Sequence, residues 1–405
     1  MKWEKVKLGD IATCIQPGPF GSQLHNSDYS KEGTPIIMPK DIVGGAIVHS
    51  GLLKVSEEHV KRLSRHQVYE GNLMVARKGD VRKCAYITAN ENGWMTGSDC
   101  LKVVLDESKC YPKFIYYQLR SEHIGRWLEK VSIGATMPSL NTGLLSGIEM
   151  VLPPIEIQKQ IAGILSVYDD LIENNRKQIK LLEEAARRLY KEWFVDLRFP
   201  GHENTKIVDG VPEGWNWCKL EDAIQFDPKV TLTKERMKQF VPMPALSTAS
   251  MVLDESQFTE TTSNSGSKFQ NGDTLLARIT PCLENGKTAY VSGLKSDEGA
   301  VGSTEYIVMR AKTINSYMVY LLARTDDFRQ SAINSMSGSD GRQRVKSDKL
   351  KMLDYLHPVS ELVEKFENVE EPIFEKIYRL SKQMQQAKQA RDLLLPKLMS
   401  GEVEV

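Results

Sequence analysis

The stretch PPIEIQKQIAGILSVYDDLIENNRKQIKLLEEAARRLYKEWFVDLRF, residues 153–199, decides the architecture of this chain. Apolar or aromatic residues recur in it at steps of three and four, with one interruption at the polar Asn175. They are Ile157, Ile161, Ile164, Tyr168, Ile172, Ile179, Leu182, Ala186, Leu189 and Trp193. This spacing places them on one face of an amphipathic helix.

The same apolar stripe returns near the end of the chain. Its first residue, Leu362, follows Ile157 by 205 positions, and the later ones keep that offset. The second copy comprises Leu362, Phe366, Val369, Ile373, Ile377, Leu380, Met384, Ala387, Arg391, Leu394 and Leu398. Arg391 is its one charged member. The repeat predicts two copies of one helical element, each closing one half of the chain.

Prolines suggest where these helices begin. Pro153-Pro154 ends the preceding strand and suits the first turn of a helix. Pro372 lies inside the second stripe, where a proline costs roughly 3 kcal/mol. We therefore expect a short helix over 359–370 and a long one starting near Pro372, with a similar break near Ser166. Each long helix, of about 30 residues, would span about 45 Å.

The two halves also share shorter motifs outside the helices. Residues 3–10 (WEKVKLGD) are echoed at 215–222 (WNWCKLED), and 71–77 (GNLMVAR) at 272–278 (GDTLLAR). A helix predicted at 112–130 matches one at 316–334. Short apolar runs bounded by Gly and Pro predict strands, for example at 34–38, 73–76 and 101–105. The fold class is therefore α+β, built by tandem duplication.

The repeat gives five segments: a globular domain at 1–152, a helical region at 153–199, a polar linker at 200–214, a second globular domain at 215–357 and a second helical region at 358–405. Two apolar stripes of equal length can cover each other, and we expect the long helices to pair antiparallel about an internal pseudo-two-fold axis. The predicted interface residues are Ile172, Ile179, Leu182, Leu189, Trp193, Ile377, Leu380, Met384 and Leu394. The alternative is that each helix packs only on its own domain.

Composition narrows the classes of function. The chain has 405 residues, 41% of them hydrophobic, and 53 basic residues balance 53 acidic ones. A polyanion site would have to be a local patch. The six scattered cysteines form no C-x-x-C pair, so neither a disulfide framework nor a metal site is predicted. No signal peptide or apolar span appears, which predicts a cytoplasmic protein.

Four segments carry a resemblance to a known family. They are VLPPIEIQKQI (151–161), LYKEWFVD (189–196), VPEGW (211–215) and LLPKLMSGE (394–402). In these motifs and their order the chain resembles the specificity subunits of type I restriction-modification systems. The resemblance implies that each globular domain is a target recognition domain for one half of a bipartite double-stranded DNA site. It further implies two methyltransferase subunits docked on the helices, and restriction subunits that join them.

The densest positive stretch of the first half is a candidate DNA contact. It comprises Lys61, Arg62, Arg65, Arg77, Lys78, Arg82 and Lys83, against only Glu70 and Asp80. Lysine and arginine contact phosphates, and arginine pairs bidentately with guanine. Gln23, in a segment resembling the same family, is a candidate reader of adenine. The competing interpretation is a solvated surface.

In the second half, the segment GSDGRQRVK, residues 338–346, contains a glycine-bearing turn that is followed by three basic residues. The candidate contacts there are Arg342, Gln343, Arg344 and Lys346, with Arg278 and Lys287 from a second family-like segment. Its counterpart in the first half is GATMPSLN, residues 134–141. For both loops the alternative is a structural role, closing the domain against its helix.

No catalytic motif is evident. Gly286-Lys287-Thr288 resembles the end of a P-loop, but Pro281 stands where that pattern needs glycine. The single Pro-Pro pair has Leu152 before it and Ile155 after it, which does not fit the base pocket of an adenine methyltransferase. We expect no cofactor on this chain and expect methyl donor, ATP and Mg²⁺ to bind partner subunits. The alternative function is an adaptor or antagonist of the same fold that binds proteins rather than DNA.

Overall fold

A computed structural model describes residues 3–134, 138–338 and 341–405 of the chain. It divides into two compact units: residues 1–171 with 387–405, and residues 172–386. Two long helices, α5 (Ile155–Tyr190) and α10 (Ser360–Ser400), contribute a segment to each unit. Within the described residues no helix is both long and apolar enough to cross a membrane.

The first unit contains twelve strands and four shorter helices within the described residues. The strands are β1 Glu4–Lys7, β2 Ala12–Pro17, β3 Tyr29–Ser30, β4 Thr34–Ile37, β5 Ile42–Val43, β6 Ala46–Ile47, β7 Leu53–Val55, β8 Leu73–Ala76, β9 Cys84–Tyr86, β10 Met95–Thr96, β11 Cys100–Leu105 and β12 Glu149–Leu152. The helices are α1 Glu57–Arg62, α2 Pro112–Leu119, α3 Glu122–Val131 and α4 Thr142–Ser146.

A four-stranded sheet in the order β2-β11-β8-β9 forms the centre of this unit. Strand β8, LMVA, is buried on both faces, as expected for a continuous apolar run between two neighbours. A second sheet has the order β10-β4-β7-β3, and β1 pairs antiparallel with β12. The helix α2 packs its aromatic side chains, including Phe114 and Tyr117, into the core against the central sheet.

The second unit repeats this arrangement. Its strands are β13 Ile207–Val208, β14 Val211–Pro212, β15 Asn216–Lys219, β16 Ile224–Phe226, β17 Lys238–Val241, β18 Thr259–Thr261, β19 Ser267–Phe269, β20 Thr274–Ala277, β21 Thr288–Tyr290, β22 Ala300–Gly302, β23 Tyr306–Ala311 and β24 Asp354–His357. Its shorter helices are α6 Leu220–Ala223, α7 Ser316–Ala323, α8 Asp326–Asn334 and α9 Ser347–Lys351.

The sheet β16-β23-β20-β21 has the same order as the central sheet of the first unit, strand for strand. The pair β15 and β24 corresponds to β1 and β12. The predicted α+β class and the duplication are therefore confirmed. The segment predicted as a polar linker contains the small hairpin β13–β14.

The long helices run antiparallel inside the second unit. The ring of Tyr190, at the end of α5, lies 6.1 Å from that of Phe366 near the start of α10. Earlier in α5, Asn175 donates to Gln383 at 3.1 Å. Because the later residue of one helix meets the earlier residue of the other, the two segments are antiparallel. In the first unit, Asp169 of α5 likewise contacts Arg391 of α10.

The predicted breaks in these helices are wrong. Helix α10 continues through Pro372 and helix α5 through Ser166. Pro372 lies on the exposed side of α10, where water can satisfy the backbone carbonyl that proline leaves without a donor. Packing of Phe366 and Phe374 on either side of it keeps the helix together.

Two other helix predictions need correction. The helix predicted at 112–130 is α2 followed by α3, and the one at 316–334 is α7 followed by α8. In each case a hydroxyl residue caps the second helix: Ser121 accepts the N–H of Ile124, and Thr325 accepts the N–H of Phe328. The new N-cap restarts the helix in a different direction.

The structure places the predicted interface residues along these helices. Ile179, Ile377 and Leu380 are buried in one core, with Leu182, Leu189 and Trp193 packed against it, and Ile172 is also buried. Met384 and Leu394 are half-buried, the latter against the core of the first unit.

The buried face differs from the predicted stripe at one step in each copy. Ile164 and Val369 are exposed, and their following neighbours, Leu165 and Glu370, are buried instead. At this point the next buried residue comes four positions later and not three, and both spacings keep a residue on the same face of a helix with 3.6 residues per turn. The core of the second unit therefore contains a carboxylate where that of the first contains a leucine.

Arg391, the charged member of the second stripe, is only 7% exposed. Its guanidinium donates to Asp169 at 2.5 Å, and the hydroxyl of Tyr117 donates to the same carboxylate at 2.7 Å. Removing one partner of a buried ion pair leaves the other charge uncompensated.

We predict that Arg391→Ala lowers the free energy of unfolding by about 2 to 3 kcal/mol, since Asp169 would lose its main counter-charge. The double variant Asp169→Asn/Arg391→Met should recover part of this loss, because it removes both charges and keeps an amide oxygen that can accept from Tyr117. Urea unfolding measures both. Asp392→Ala, which removes the half-exposed second partner of Arg391, is the control. Equal losses in the single and double variants would contradict the prediction.

Glu370 provides a second test of the core. Neither carboxylate oxygen has a hydrogen-bond partner among the described residues, and burial raises its pKa from 4.5 to about 7. Between these values the folded state binds more protons than the unfolded state, so this group makes stability fall as pH rises through that window. Above pH 7 the penalty amounts to about 3 kcal/mol at 1.36 kcal/mol per pKa unit.

We therefore predict that Glu370→Leu stabilises the protein by about 3 kcal/mol at pH 8 and far less at pH 5. Leucine is chosen because Leu165 occupies the matching place in the first copy. Urea unfolding at the two pH values measures the difference. The exposed neighbour provides the control variant, Glu371→Leu, which should leave the pH dependence unchanged. A gain that is the same at both pH values would refute the assignment.

Candidate nucleic-acid interface

The same set of backbone hydrogen bonds occurs in both units around the arginine that follows a strand of the central sheet. In the first unit the N–H of Arg77 donates to the carbonyl of Asp99 at 2.7 Å, and the N–H of Leu140 donates to the carbonyl of Arg77 at 2.8 Å. Ser139, next to Leu140, forms bridges with Lys78 and Ile133. Three chain segments thus meet beside Arg77.

The second unit has the same arrangement around Arg278. Its N–H donates to the carbonyl of Glu305 at 3.0 Å, and the N–H of Val345 donates to the carbonyl of Arg278 at 2.9 Å. Arg344 forms bridges with Ile279 and Ser337. We call these two arrangements the arginine frames: Arg77 with Asp99 and Ser139-Leu140, and Arg278 with Glu305 and Arg344-Val345.

Each frame contains one acid paired with a cation, but the cation comes from a different segment. In the first frame, Lys78 lies 3.2 Å from Asp99. In the second, Arg344 binds both carboxylate oxygens of Glu305 through Nε and Nη2. The side chain of Arg344 lowers the pKa of Glu305 chiefly through these hydrogen bonds. The backbone is therefore shared, whereas the exposed chemistry differs.

The basic residues of the stretch 61–83 do not form one cluster but lie at different places on the first unit. Arg77 and Lys78 lie at the first frame. Arg62 donates to the carbonyl of Gln23 at 2.8 Å, and Gln23 belongs to the same turn as Phe20, whose ring lies beside Arg77. Lys61 and Arg65 are exposed, and the Nε of Arg65 lies 3.1 Å from His66.

The last two residues of that stretch, Arg82 and Lys83, line a separate recess on the first unit. Arg82 is ion-paired with Glu122 and Glu129. The Nζ of Lys83 donates to the carbonyl of Pro39 at 3.0 Å. Both side chains are half-buried rather than extended into solvent.

Phe20 is a residue at this surface that the basic pattern did not identify. Its side chain is 53% exposed, and the guanidinium of Arg77 lies 5.4 Å from the centre of its ring. Gln23 follows in the same turn, with its N–H donating to the carbonyl of Phe20. An aromatic residue left in water beside an arginine is a feature that sequence periodicity cannot reveal, although the motif PFGSQ contains it.

In the second unit the predicted contacts also differ in their surroundings. Arg342 and Lys346 are exposed, and no ion pair of Arg342 occurs among the described residues. Gln343 is half-buried, and its carbonyl accepts the N–H of Thr280. Lys287 donates to the carbonyl of Met243 at 3.0 Å, just as Lys83 donates to that of Pro39.

Arg278 itself is half-buried. Its Nε is buried and has no acceptor among the described residues. A buried donor without a partner costs about 1 to 3 kcal/mol. The guanidinium of Arg278 therefore retains one N–H donor without an acceptor among the described residues.

Parts of both predicted glycine loops lie outside the described residues. These are Ala135, Thr136 and Met137 in the first loop and Ser339 and Asp340 in the second. The flanking residues are described: Ile133 exchanges two backbone hydrogen bonds with Ser139, and Ser337 does the same with Arg344. The described residues on either side of each loop thus pair with each other, and this pairing belongs to an arginine frame.

The P-loop interpretation of Gly286-Lys287-Thr288 has no structural support. Thr288 begins strand β21, so the turn leads directly into a strand and not into the helix that a P-loop requires. Among the described residues, no group of three or more His, Cys, Asp or Glu side chains is arranged to hold a metal ion.

Comparison with known proteins identifies relatives of this chain. Residues 1–184 match the family model of the type I restriction modification DNA specificity domain. The chain is 25% identical over its whole length to the type I restriction enzyme MjaIX specificity subunit of Methanocaldococcus jannaschii, covering 94% of that protein. It is 35% identical over 233 residues to the EcoAI specificity subunit of Escherichia coli, covering 55% of this chain and 39% of that one.

Among solved structures, the S subunit of a type I restriction-modification system from M. genitalium has a similar fold. The TM-score is 0.60 at 15% identity, covering 98% of this chain and 96% of the other. The family predicted from the sequence is therefore confirmed: residues 1–184 carry a type I restriction modification DNA specificity domain, and the whole chain is similar to type I restriction enzyme specificity subunits.

Proposed function

We propose that this chain is the DNA sequence-recognition and scaffold subunit of a type I restriction-modification complex. Each unit reads one half of a bipartite double-stranded DNA site through its arginine frame and the loop beside it. The paired helices α5 and α10 set the number of unread base pairs between the halves. The subunit has no catalytic role of its own and recruits methyltransferase and restriction subunits.

The observation that carries this proposal is the pair of arginine frames. The same backbone hydrogen bonds recur around Arg77 and Arg278, yet the side chains presented there differ: Phe20 and Lys78 in one unit, Arg342 and Arg344 in the other. A duplicated scaffold with diverged exposed residues is what two readers of different sequences require.

The side chains suit the chemistry of base reading. Arginine pairs bidentately with guanine, glutamine with adenine, and the methyl group of thymine accepts apolar contacts. The first surface offers Arg77, Gln23 and Phe20, and the second offers Arg342 and Gln343. Lysines at the rim, such as Lys61 and Lys346, suit phosphate contacts, which position the protein without reading sequence.

The helices supply the surface for partners in this proposal. Val167, Leu181 and Leu393 are exposed to 65%, 65% and 70%. Single exposed apolar side chains are common on protein surfaces, so the assignment of the helices to partner binding rests on the family resemblance. The resemblance to the family implies that two methyltransferase subunits dock there, bringing the methyl donor, while ATP and Mg²⁺ act in the restriction subunits.

A protein-binding adaptor of the same fold is the second candidate, favoured by the balanced charge of the chain. Purified chain with its methyltransferase subunit, titrated into labelled duplex DNA over a series of salt concentrations, separates the two. A recognition subunit binds with a slope set by its phosphate contacts, and prefers one sequence. The adaptor would show neither. Sequencing that detects modified adenines in cells carrying both subunits then identifies the target.

We predict that Arg342→Ala weakens binding by about 1 to 3 kcal/mol and relaxes specificity in one half-site only. The reason is that Arg342 is exposed and belongs to one unit. Competition binding against duplexes altered in either half-site measures this. Arg344→Ala should affect the same half-site but also lower stability, because it leaves Glu305 without its counter-charge.

Lys349→Ala, on the exposed side of α9, is the matched control for loss of one positive charge in the same unit. It should change neither half-site preference. If Arg342→Ala altered the other half-site, or altered neither, the assignment of this loop to base reading would be wrong.

We also predict that matched deletions of seven residues in α5, within 170–178 between the two cores, and in the facing part of α10 shorten the unread gap by about three base pairs. Seven residues correspond to about 10.5 Å of helix at 1.5 Å per residue, and DNA rises 3.4 Å per base pair. Mapping of modified adenines measures the gap. The half-sites themselves should not change.

Deleting from α5 alone is the control, because it puts the two apolar stripes out of register and should abolish activity rather than change the gap. If the matched deletion left an active complex with an unchanged gap, the helix pair would not be the spacer.

A further inference from the structure

A recess of about 290 Å³ opens on the first unit, close to the lower end of the range in which proteins hold small ligands. It is lined by the turn between β5 and β6, by the loop before β9 and by the end of α2. The lining residues are Ile42, Val43, Gly44, Gly45, Asp80, Arg82, Lys83, Cys84 and Arg120. Three of them are cations and one is an acid.

The glycine turn that lines this recess contains two backbone N–H donors. Gly44 and Gly45 both have positive φ, 63° and 93°, as a two-residue hairpin turn requires. Their carbonyls are occupied: Arg120 donates to that of Gly44 at 3.0 Å, and Tyr116 donates to that of Gly45 at 2.9 Å. Neither glycine N–H has an acceptor among the described residues. Successive free amides of this kind suit an anion.

The three cations are not equally available. Arg82 is held by Glu122 and Glu129, and Arg120 lies 3.5 Å from Asp169. Lys83 has no carboxylate at ion-pair distance among the described residues, and only the carbonyl of Pro39 accepts from it. An ammonium group has three donors, so Lys83 retains capacity for a ligand.

Sterically, the turn is built for glycine. A Cβ on Gly45 would come within 2.4 Å of the Tyr116 hydroxyl and 2.5 Å of the Arg120 guanidinium carbon. The absence of a side chain at Gly45 therefore lets the backbone of the turn lie directly against the guanidinium of Arg120, which donates to the carbonyl of Gly44. Arg120 thus acts as a positioning residue for the turn, while Lys83 supplies the charge.

We infer that this recess is a phosphate-binding site, with Lys83 and the amides of the Gly44-Gly45 turn as ligands, and that the phosphate belongs to the DNA backbone. The inference rests on the proposed function. It deepens that function by assigning one sequence-independent anchor, because Lys83 follows the first arginine frame by only five residues and shares its loop with Lys78. One unpaired lysine is weak for a free anion, but in a polyelectrolyte complex each neutralised phosphate adds to binding through counterion release.

The test is Lys83→Met in the full-length chain, in complex with its methyltransferase subunit. Methionine keeps the length of the apolar side chain and removes the charge. The slope of log affinity against log salt should decrease by about 1, equally for target and scrambled duplexes, since a phosphate contact is not sequence-specific. Lys130→Met, an exposed lysine of α3 in the same unit, is the matched control and should leave the slope unchanged.

A DNA-side experiment keeps the protein intact and covers the case in which Lys83→Met fails to fold. Single methylphosphonate substitutions along the duplex remove one backbone charge at a time. One position should weaken binding by wild type, and the same substitution should have little further effect on Lys83→Met, whereas it should still weaken binding by Lys130→Met.

The outcomes distinguish the two proposals. If wild type binds no DNA, the proposed function fails. If wild type binds but Lys83→Met keeps the full salt slope, or every methylphosphonate acts equally on both proteins, the phosphate site is refuted. A titration with inorganic phosphate, followed by calorimetry, addresses the other source of the ligand: saturable binding lost in Lys83→Met, together with an unchanged DNA slope, would assign the recess to a free anion instead.

Discussion

Burial of the apolar stripes on α5 and α10 is the constraint on which both units depend. A helix of 36 or 41 residues with a continuous apolar face is not stable alone in water unless that face is covered. In the second unit, Ile179 and Tyr190 of α5 and Phe366 and Ile377 of α10 belong to the same core as the helices of the globular part. In the first, Ile161 and Leu165 share a core with Leu395 and Leu398. The helices are therefore components of the cores rather than appendages to them.

That shared core explains why the globular parts could diverge so far. The residues that hold each unit together lie in the central sheets, in α2 or α7 and in the long helices, and they recur at matching positions. The residues of the arginine frames contribute backbone hydrogen bonds, which do not depend on side-chain identity. Exposed positions such as Phe20 and Arg342 are consequently free to change without loss of the fold.

Periodicity predicted the duplication, the fold class and the antiparallel pairing because these depend on the average position of apolar residues around a helix. It failed where one residue decides the outcome. Pro372 does not break α10, because its face is exposed and the packing on both sides is retained. Ser121 does divide the predicted helix at 112–130, because its side chain caps a new one. Glu370 is buried although its neighbour Val369 was the better candidate by hydropathy.

For the candidate site, charge density pointed to particular loops but could not show which of their charges are available. Sequence cannot show that Arg82 is occupied by Glu122 or that Arg344 is occupied by Glu305, because these partners are 40 and 39 positions away along the chain. Ion pairing at such distances depends on tertiary structure. Among the described residues, those left available are fewer: Arg342 and Lys83, which have no carboxylate at ion-pair distance, and the ring of Phe20, which is exposed beside Arg77. Cations and an exposed aromatic ring of this kind would suit contact with a polyanionic double helix that has apolar base edges.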